Sequence, residues 1–488
     1  MDELTQADLA PLTVPPAGIS APTYDRSALT PGIVHIGTGN FHRAHQAWYL
    51  HRLMQDGLAQ DWAILGAGVR PYDAAMRTKL AEQDFLTTLI ELDPVGTNAE
   101  IVGSMIGYVP VEDGHGPLIA QMAAPAIRIV SLTVTEGGYF LGPNGPDLTH
   151  PDLVHDSDLA NAPRTAFGAI VAALRRRQAA GSGPLTLLSC DNLQGNGTLL
   201  RTIVTGLVRA GDPDLADWID GVCTFPNSMV DCIVPATGPR ERAMARALGI
   251  ADTAPVTHER FRHWVLEDRF AAGRPPLERA GAVFTSDVHA FEALKLRILN
   301  AGHQILANAG DLLGIATIAG TMSHPLIGAL FRHVQSREIL PNLHAVPGYT
   351  PDQYLDMVIP RFANEAIVDT TRRVAFDGSS RHPGFLHPSI VDNLAAGRPV
   401  KGLALVEAMW ARYCEGTRED GSLIEPNDPN WDELQAAARA AKTDPDAWLG
   451  LRCYDGLRDA SAFRNDFDAA LRSVWSDGVE GTIRAYLR

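Results

Sequence analysis

The sequence predicts an α/β protein in two parts. Residues 1–284 read as a doubly wound parallel sheet with inserted antiparallel strands, and residues 285–488 as a mainly helical domain. Three observations carry this. Short apolar strands alternate with helical runs through the first part, the pattern of a parallel sheet covered by helices. Strand-like segments stop near residue 286, where helical spacing takes over. The 488 residues also exceed what one ordinary core supports, so two domains follow from length alone.

Hydrophobic residues make up 45% and charged residues 20%, enough for ordinary buried cores. The formal charge of −16 opposes nucleic acid or an anionic membrane as partner. Cys190, Cys223, Cys232, Cys414 and Cys453 form no C-x-x-C pair, which fits reduced thiols better than a disulfide framework or a zinc knuckle. Met1–Ile19 lacks a basic and apolar leader, and no apolar run reaches membrane-spanning length. A cytoplasmic enzyme is the expectation.

Residues 1–30 read as an extended arm, since Pro11, Pro15, Pro16 and Pro22 exclude helix. Ile33–Ile36 is a buried strand, Gly37-Thr38-Gly39 a turn, and Gln46–Met54 a helix that Gly57 stops. Strand, glycine turn and helix together open a Rossmann-type dinucleotide fold, in which the turn backbone approaches a pyrophosphate. Gly37, Gly39, Asn40 and Phe41 are therefore candidate cofactor contacts, with His42 standing where the full fingerprint has a third glycine. His42 and His45 lack the neighbouring Cys, Asp or Glu that a metal site needs, and no metal is expected.

Asp61–Gly68 is the second strand. After it, an acid binds a ribose 2′-hydroxyl and an arginine accommodates a 2′-phosphate; Arg70 and Asp73 are both present, so NAD and NADP stay open. Phe85–Leu92 and Ile101–Tyr108 alternate like an inserted antiparallel pair. Ile127–Val134 and Leu185–Cys190 are further buried strands, and Thr165–Arg177 and Arg240–Leu248 are helical. Glu136 and Asn192 then fall at the carboxyl edge of the sheet, where doubly wound folds bind ligands. Turn chemistry is the plainer use of such residues.

Past residue 286, helical runs are expected at 289–320, 324–335, 351–363, 388–396, 401–414, 430–442 and 459–487. The first matters most. Leu294, Ile298, Leu299, Ile305 and Leu306 recur at helical spacing, and Lys295, Asn300 and His303 interrupt them. At about 100° per residue, His303 lies about 80° and Asn300 about 140° around the axis from Lys295, so one wall can hold all three. A solvated face is the ordinary fate of such residues. Gly302 tilts the balance, because a mid-helix glycine suggests close approach to the backbone. Burying a lysine is costly unless it is paired or deprotonated, and deprotonation is what a general base requires.

The chain resembles the polyol-specific long-chain dehydrogenases, the mannitol 2-dehydrogenase-like enzymes. The resemblance rests on Gly37–His45, Ser131–Gly138, Ser189–Asn192, Phe225–Pro235, Lys295–His303 and Phe376–Arg381, and spans essentially Ile33 to the C-terminus. It implies a Rossmann-type first domain, a helical second domain like that of 6-phosphogluconate dehydrogenase, metal-independent NAD(P) chemistry, and a monomer. It also implies Lys295 as general base, Asn192 and Asn300 as donors to the reacting oxygen, and His303 as the orienting group. Asp231, Arg373 and Arg381 would hold other hydroxyls, while Glu136 and Glu292 would relay protons. Two positions depart from the family pattern: Cys232 stands where an arginine is usual, and Arg381 where some members carry lysine.

The expected reaction interconverts a sugar alcohol such as mannitol, arabinitol or sorbitol with its ketose. A hexuronate oxidoreductase of the same family is the close rival, and its carboxylate substrate would call on Arg372, Arg373 or Arg381. A dinucleotide-binding protein without catalysis is the rival from another class. The intact Lys295, Asn300 and His303 set argues against it.

Overall fold

The computed structural model describes residues 15–94, 96–142 and 145–488, and separates into one compact unit ending at His289 and another beginning at Ala290. Pro11 of the expected arm lies outside the described residues. The strands of the first unit begin with β1 (Pro31–Ile36), β2 (Ala63–Ala67), β3 (Thr87–Asp93), β4 (Gly96–Val102), β5 (Met105–Tyr108) and β6 (Ile129–Leu132). Then come the short β7 (Leu141–Gly142) and β8 (Gly145–Pro146), β9 (Thr186–Ser189), β10 (Ser228–Asp231), β11 (Val256–Glu259), β12 (His263–Glu267) and β13 (Val283–Thr285).

The main sheet has the order β5-β2-β1-β6-β9, and every pairing in it is parallel. Its strands are buried on both faces, which is why they read as continuous apolar runs. Alternation still sorts them: Val34 and Ile36 of β1 join one core with Val130, Leu132 and Leu187, while Ile33 joins the other with Ile64, Ile129 and Leu188. The chain leaves β1 in one direction through β2 and β5, then returns to lay β6 on its other side. Strand order therefore reverses between β1 and β6, which opens a crevice at their carboxyl ends.

One expected strand is corrected. Ile101–Tyr108 breaks at Gly103-Ser104 into β4, antiparallel to β3, and β5, parallel to β2 at the sheet edge. A Cβ on Gly103 would crowd Pro22 and Arg26, so the glycine marks where the chain changes sheet. Strands β11 and β12 carry no apolar periodicity that would reveal them. Their His258, Glu259 and His263 are buried because each has a partner, as where Glu259 accepts the Ile233 N–H. β11 lies parallel to β3, and β12 lies between antiparallel β10 and parallel β13.

The second unit is helical, with isolated bridges such as Thr317–Thr370 in place of strands among its described residues. The long run expected over 289–320 is divided: Val288–Leu294 and Ala301–Leu312 are α-helical, Lys295–Asn300 between them is a π-turn, and Ile318–Ser323 is separate. Gly314, at φ 72°, makes the break. Helix Lys401–Cys414 is buried from Gly402 to its end and packs against Ser461–Tyr486, which kinks at Gly478. Glu338 accepts the Gly402 and Leu403 N–H groups at 2.7 and 2.9 Å, capping that buried helix with a carboxylate. Among the described residues no helix is long and apolar enough to cross a membrane.

Candidate active site

In the first unit the Gly37–Gly39 turn sits at the carboxyl end of β1, beside the strand-order reversal. Gly37 adopts φ 97°, and a Cβ there would collide with the Thr133 carbonyl that follows β6. Thr133 Oγ1 donates to Gly37 O, and the His35 ring bridges Ser131 Oγ and Thr133 Oγ1 at 2.8 Å each. Gly39 is exposed, with nothing within 4 Å of where its Cβ would lie. A rigid glycine turn with an open backbone face fits the pyrophosphate of a dinucleotide.

The neighbouring candidates divide. Asn40 is tied inward, donating at 2.9 Å to Pro235 O and Thr237 Oγ1 and accepting from Arg43. Phe41 stacks on His45, 4.8 Å between ring centres. His42 stacks on His35 at 3.5 Å, so this histidine pair packs the turn against β1. After β2, Asp73 Oδ2 accepts the Val69 and Arg70 N–H groups, while Arg70 itself is exposed. Among the described residues no group of three or more His, Cys, Asp or Glu side chains could hold a metal ion.

Asp191, to which the sequence reading gave no role, organises the carboxyl edge between β6 and β9. It accepts from Val134 N at 3.2 Å, Thr135 N at 2.8 Å and Tyr139 OH at 2.9 Å. Burial pushes its carboxyl up to about 6 despite these donors. The clamp ties the loop bearing Glu136 to the strand end that precedes Asn192, and Glu136 and Asn192 are both exposed. Asp231, by contrast, is buried at the end of β10, followed by Cys232.

In the second unit Lys295 and Asn300 are buried, at 8% and 9% exposure, and Glu292 is buried on the preceding turn. The α-helical reading placed Asn300 about 140° from Lys295. The π-turn changes this register, since its i→i+5 bonding turns each residue through less than an α-helix does and brings Asn300 nearer the Lys295 side. His303 follows three residues later in α-helix, packed on Phe362 at 4.3 Å, with Nε2 3.9 Å from Asp369 Oδ2. Burial lowers its imidazole to about 4; Asp369 opposes this, while Arg373, Arg361 and Arg381 add to it. His303 is thus neutral near pH 7.

The arginines also separate. Arg373 pairs with Asp369 through two bonds of 2.7 and 2.6 Å, and Arg381 donates to Val374 O at 2.7 Å. Arg372 turns away, engaged by Tyr413 OH, Glu425 O and Asp311. Gly302 does mark a close approach: a Cβ there would lie 2.8 Å from a Phe331 ring carbon and 3.2 Å from Gln335 Nε2. The unit therefore gathers Lys295, Asn300 and His303 on one short stretch, with Asp369 linking His303 to Arg373. Asp369 escaped the sequence reading because a lone aspartate in a loop has no spacing to reveal it.

The chain is similar to known proteins along nearly its whole length. The mannitol dehydrogenase Rossmann domain model matches residues 31–279, and the mannitol dehydrogenase C-terminal domain model matches 287–475. A mannitol 2-dehydrogenase of Cereibacter sphaeroides is 53% identical over 471 residues, 96% of this chain and 99% of the relative. One from Aspergillus terreus is 41% identical, covering 96% of each. Among solved structures, the Pseudomonas fluorescens mannitol 2-dehydrogenase ternary complex with NAD and D-mannitol superposes with a TM-score of 0.88 at 38% identity, covering 98% of each chain. A substrate-free D-sorbitol dehydrogenase gives 0.87 at 35% identity, covering 97% of this chain and 99% of the other. With both domain models matched in order along the sequence, the chain belongs to the mannitol dehydrogenase family.

Proposed function

We propose that this protein is an NAD-dependent polyol dehydrogenase that oxidises a mannitol- or sorbitol-type sugar alcohol to the ketose, and runs the reverse reduction. The observation that carries the reading is Lys295 buried on a π-turn with Asn300, in a chain with the family's two domains. NAD, when bound, supplies the hydride acceptor. Gly37 and Gly39 would hold its pyrophosphate, with Arg70 and Asp73 beside the ribose.

Lys295 takes the hydroxyl proton as hydride leaves the carbon. Burial deprives an ammonium of solvation and favours the neutral amine that this step needs. Asn300, with Asn192, donates to the oxygen as negative charge builds on it, so the reading is metal-independent. Neutral His303 orients the reacting group, Arg373 and Arg381 with Asp231 bind further hydroxyls, and Glu292 and Glu136 carry the proton onward. The partner is thus a small polyol or ketose, and the chain is taken to act as a cytoplasmic monomer. The engagement of Arg372 and the Asp369–Arg373 pair disfavour a hexuronate carboxylate.

A screen of polyols, ketoses and mannonate with NAD and NADP tests this reading. Turnover of a hexitol with NAD is expected, and turnover of mannonate alone would overturn it. Gly37→Ala checks the cofactor turn. The strained φ and the Thr133 collision should cost about 1–3 kcal/mol of stability. NADH binding should weaken with it in a fluorescence titration, and unchanged affinity would remove Gly37 from the site.

A further inference from the structure

A π-turn puts one extra residue into the helix and loosens the regular sharing of carbonyls, so it persists where another group satisfies the backbone. At Lys295–Asn300 the Ala301 N–H reaches both Leu296 O and Ile298 O. Gln335 completes the arrangement. Its Nε2 donates to Ile298 O at 2.8 Å, and its side chain is fully buried. Gln335 itself heads a second π-turn, Gln335–Ile339, which Glu338 ties to the helix Lys401–Cys414. Room for the amide exists because residue 302 is glycine, with Phe331 and Phe362 closing the same gap.

The bulge decides what the helix presents. Without it Asn300 would lie about 140° around the axis from Lys295. With it, each residue turns through less than in an α-helix, and Asn300 comes round toward the Lys295 side of the axis. We propose that Gln335 is a positioning residue for the reaction: its amide bond to the Ile298 carbonyl holds the π-turn that aligns Lys295 with Asn300. Gln335 acts through the helix and not on the substrate. The inference rests on Lys295 being the proton acceptor.

The test compares Gln335→Met, Gln335→Glu and Gly302→Ala, with Lys295→Ala measured in parallel. Methionine keeps the volume and removes the donor. Its kcat for hexitol oxidation should fall about tenfold to a hundredfold, as small misplacements of catalytic groups do. KM for NAD should stay within about twofold, and the pH profile of kcat should shift because the base is no longer held in place. In Gln335→Glu the introduced carboxyl occupies the same fully buried place and is held protonated. Its O–H can then donate to Ile298 O, and most of kcat should return. Gly302→Ala crowds the Phe331 and Phe362 rings as well as the amide, so kcat should fall together with thermal stability, and unchanged kcat would count against the arrangement. Wild-type kcat and pH profile in Gln335→Met would overturn the inference while Lys295→Ala is inactive. If Lys295→Ala itself turns over normally, the base assignment fails instead.

Discussion

Lys295→Met should retain NADH binding within about twofold and lose roughly a thousandfold or more in kcat, within the range general-base removal commonly costs. Methionine matches the lysine stem in length and fills the same buried volume, so packing on the helix is kept. Only the proton acceptor is removed. Single-turnover measurement with NAD and mannitol separates the chemical step from cofactor binding. Small primary amines added to the solution should recover part of the rate, since they restore an acceptor without restoring the side chain. Equal losses of cofactor affinity and turnover would show that Lys295 supports the fold and not the reaction.

The second large effect concerns stability. Glu407 is fully buried between His382 and His387, with Nδ1 of His382 at 3.1 Å from its Oε1 and Nε2 of His387 at 3.6 Å from its Oε2. Tyr454 OH donates to Glu407 at 2.5 Å and Trp448 Nε1 donates to that hydroxyl. The Asn308 side-chain amide lies 2.9 Å from His382 Nε2. Burial alone would raise the Glu407 carboxyl; the two facing histidines outweigh it and hold it below the usual carboxylate range. Glu407→Ala leaves these groups buried without their acceptor and should cost about 3–5 kcal/mol, read from the urea midpoint. A carboxyl depressed in the folded state contributes stability above about pH 4 and loses it as pH falls toward the folded value. The gap between the wild type and Glu407→Gln should therefore narrow in acid. A loss under about 1 kcal/mol for the alanine variant would sink this account.

How far the sequence reaches is visible in these residues. Lys295, Asn300 and His303 stood out because polar side chains interrupt an apolar helical stripe. Their mutual register did not, since a π-turn depends on Gln335, a residue distant in the chain that supplies a donor. The parallel strands β1, β6 and β9 were legible as apolar runs because helices cover both faces of the sheet. β11 and β12 were not, because buried His and Glu residues with partners look like surface residues in a one-dimensional pattern. Glu407 and Asp191 were missed for the same reason: burial and partners define them, and neither is encoded by spacing.

The pairing of β3 with β11 has a consequence for synthesis. Leu89 is registered with Val256 and Leu92 with Glu259, so this ladder closes only after a long stretch of chain has been made. Closing so large a loop is entropically expensive and slow. Until Glu259 emerges from the ribosome, the β3–β4 hairpin presents a bare edge to other nascent chains. Truncated products ending before that point should aggregate instead of folding as smaller sheets.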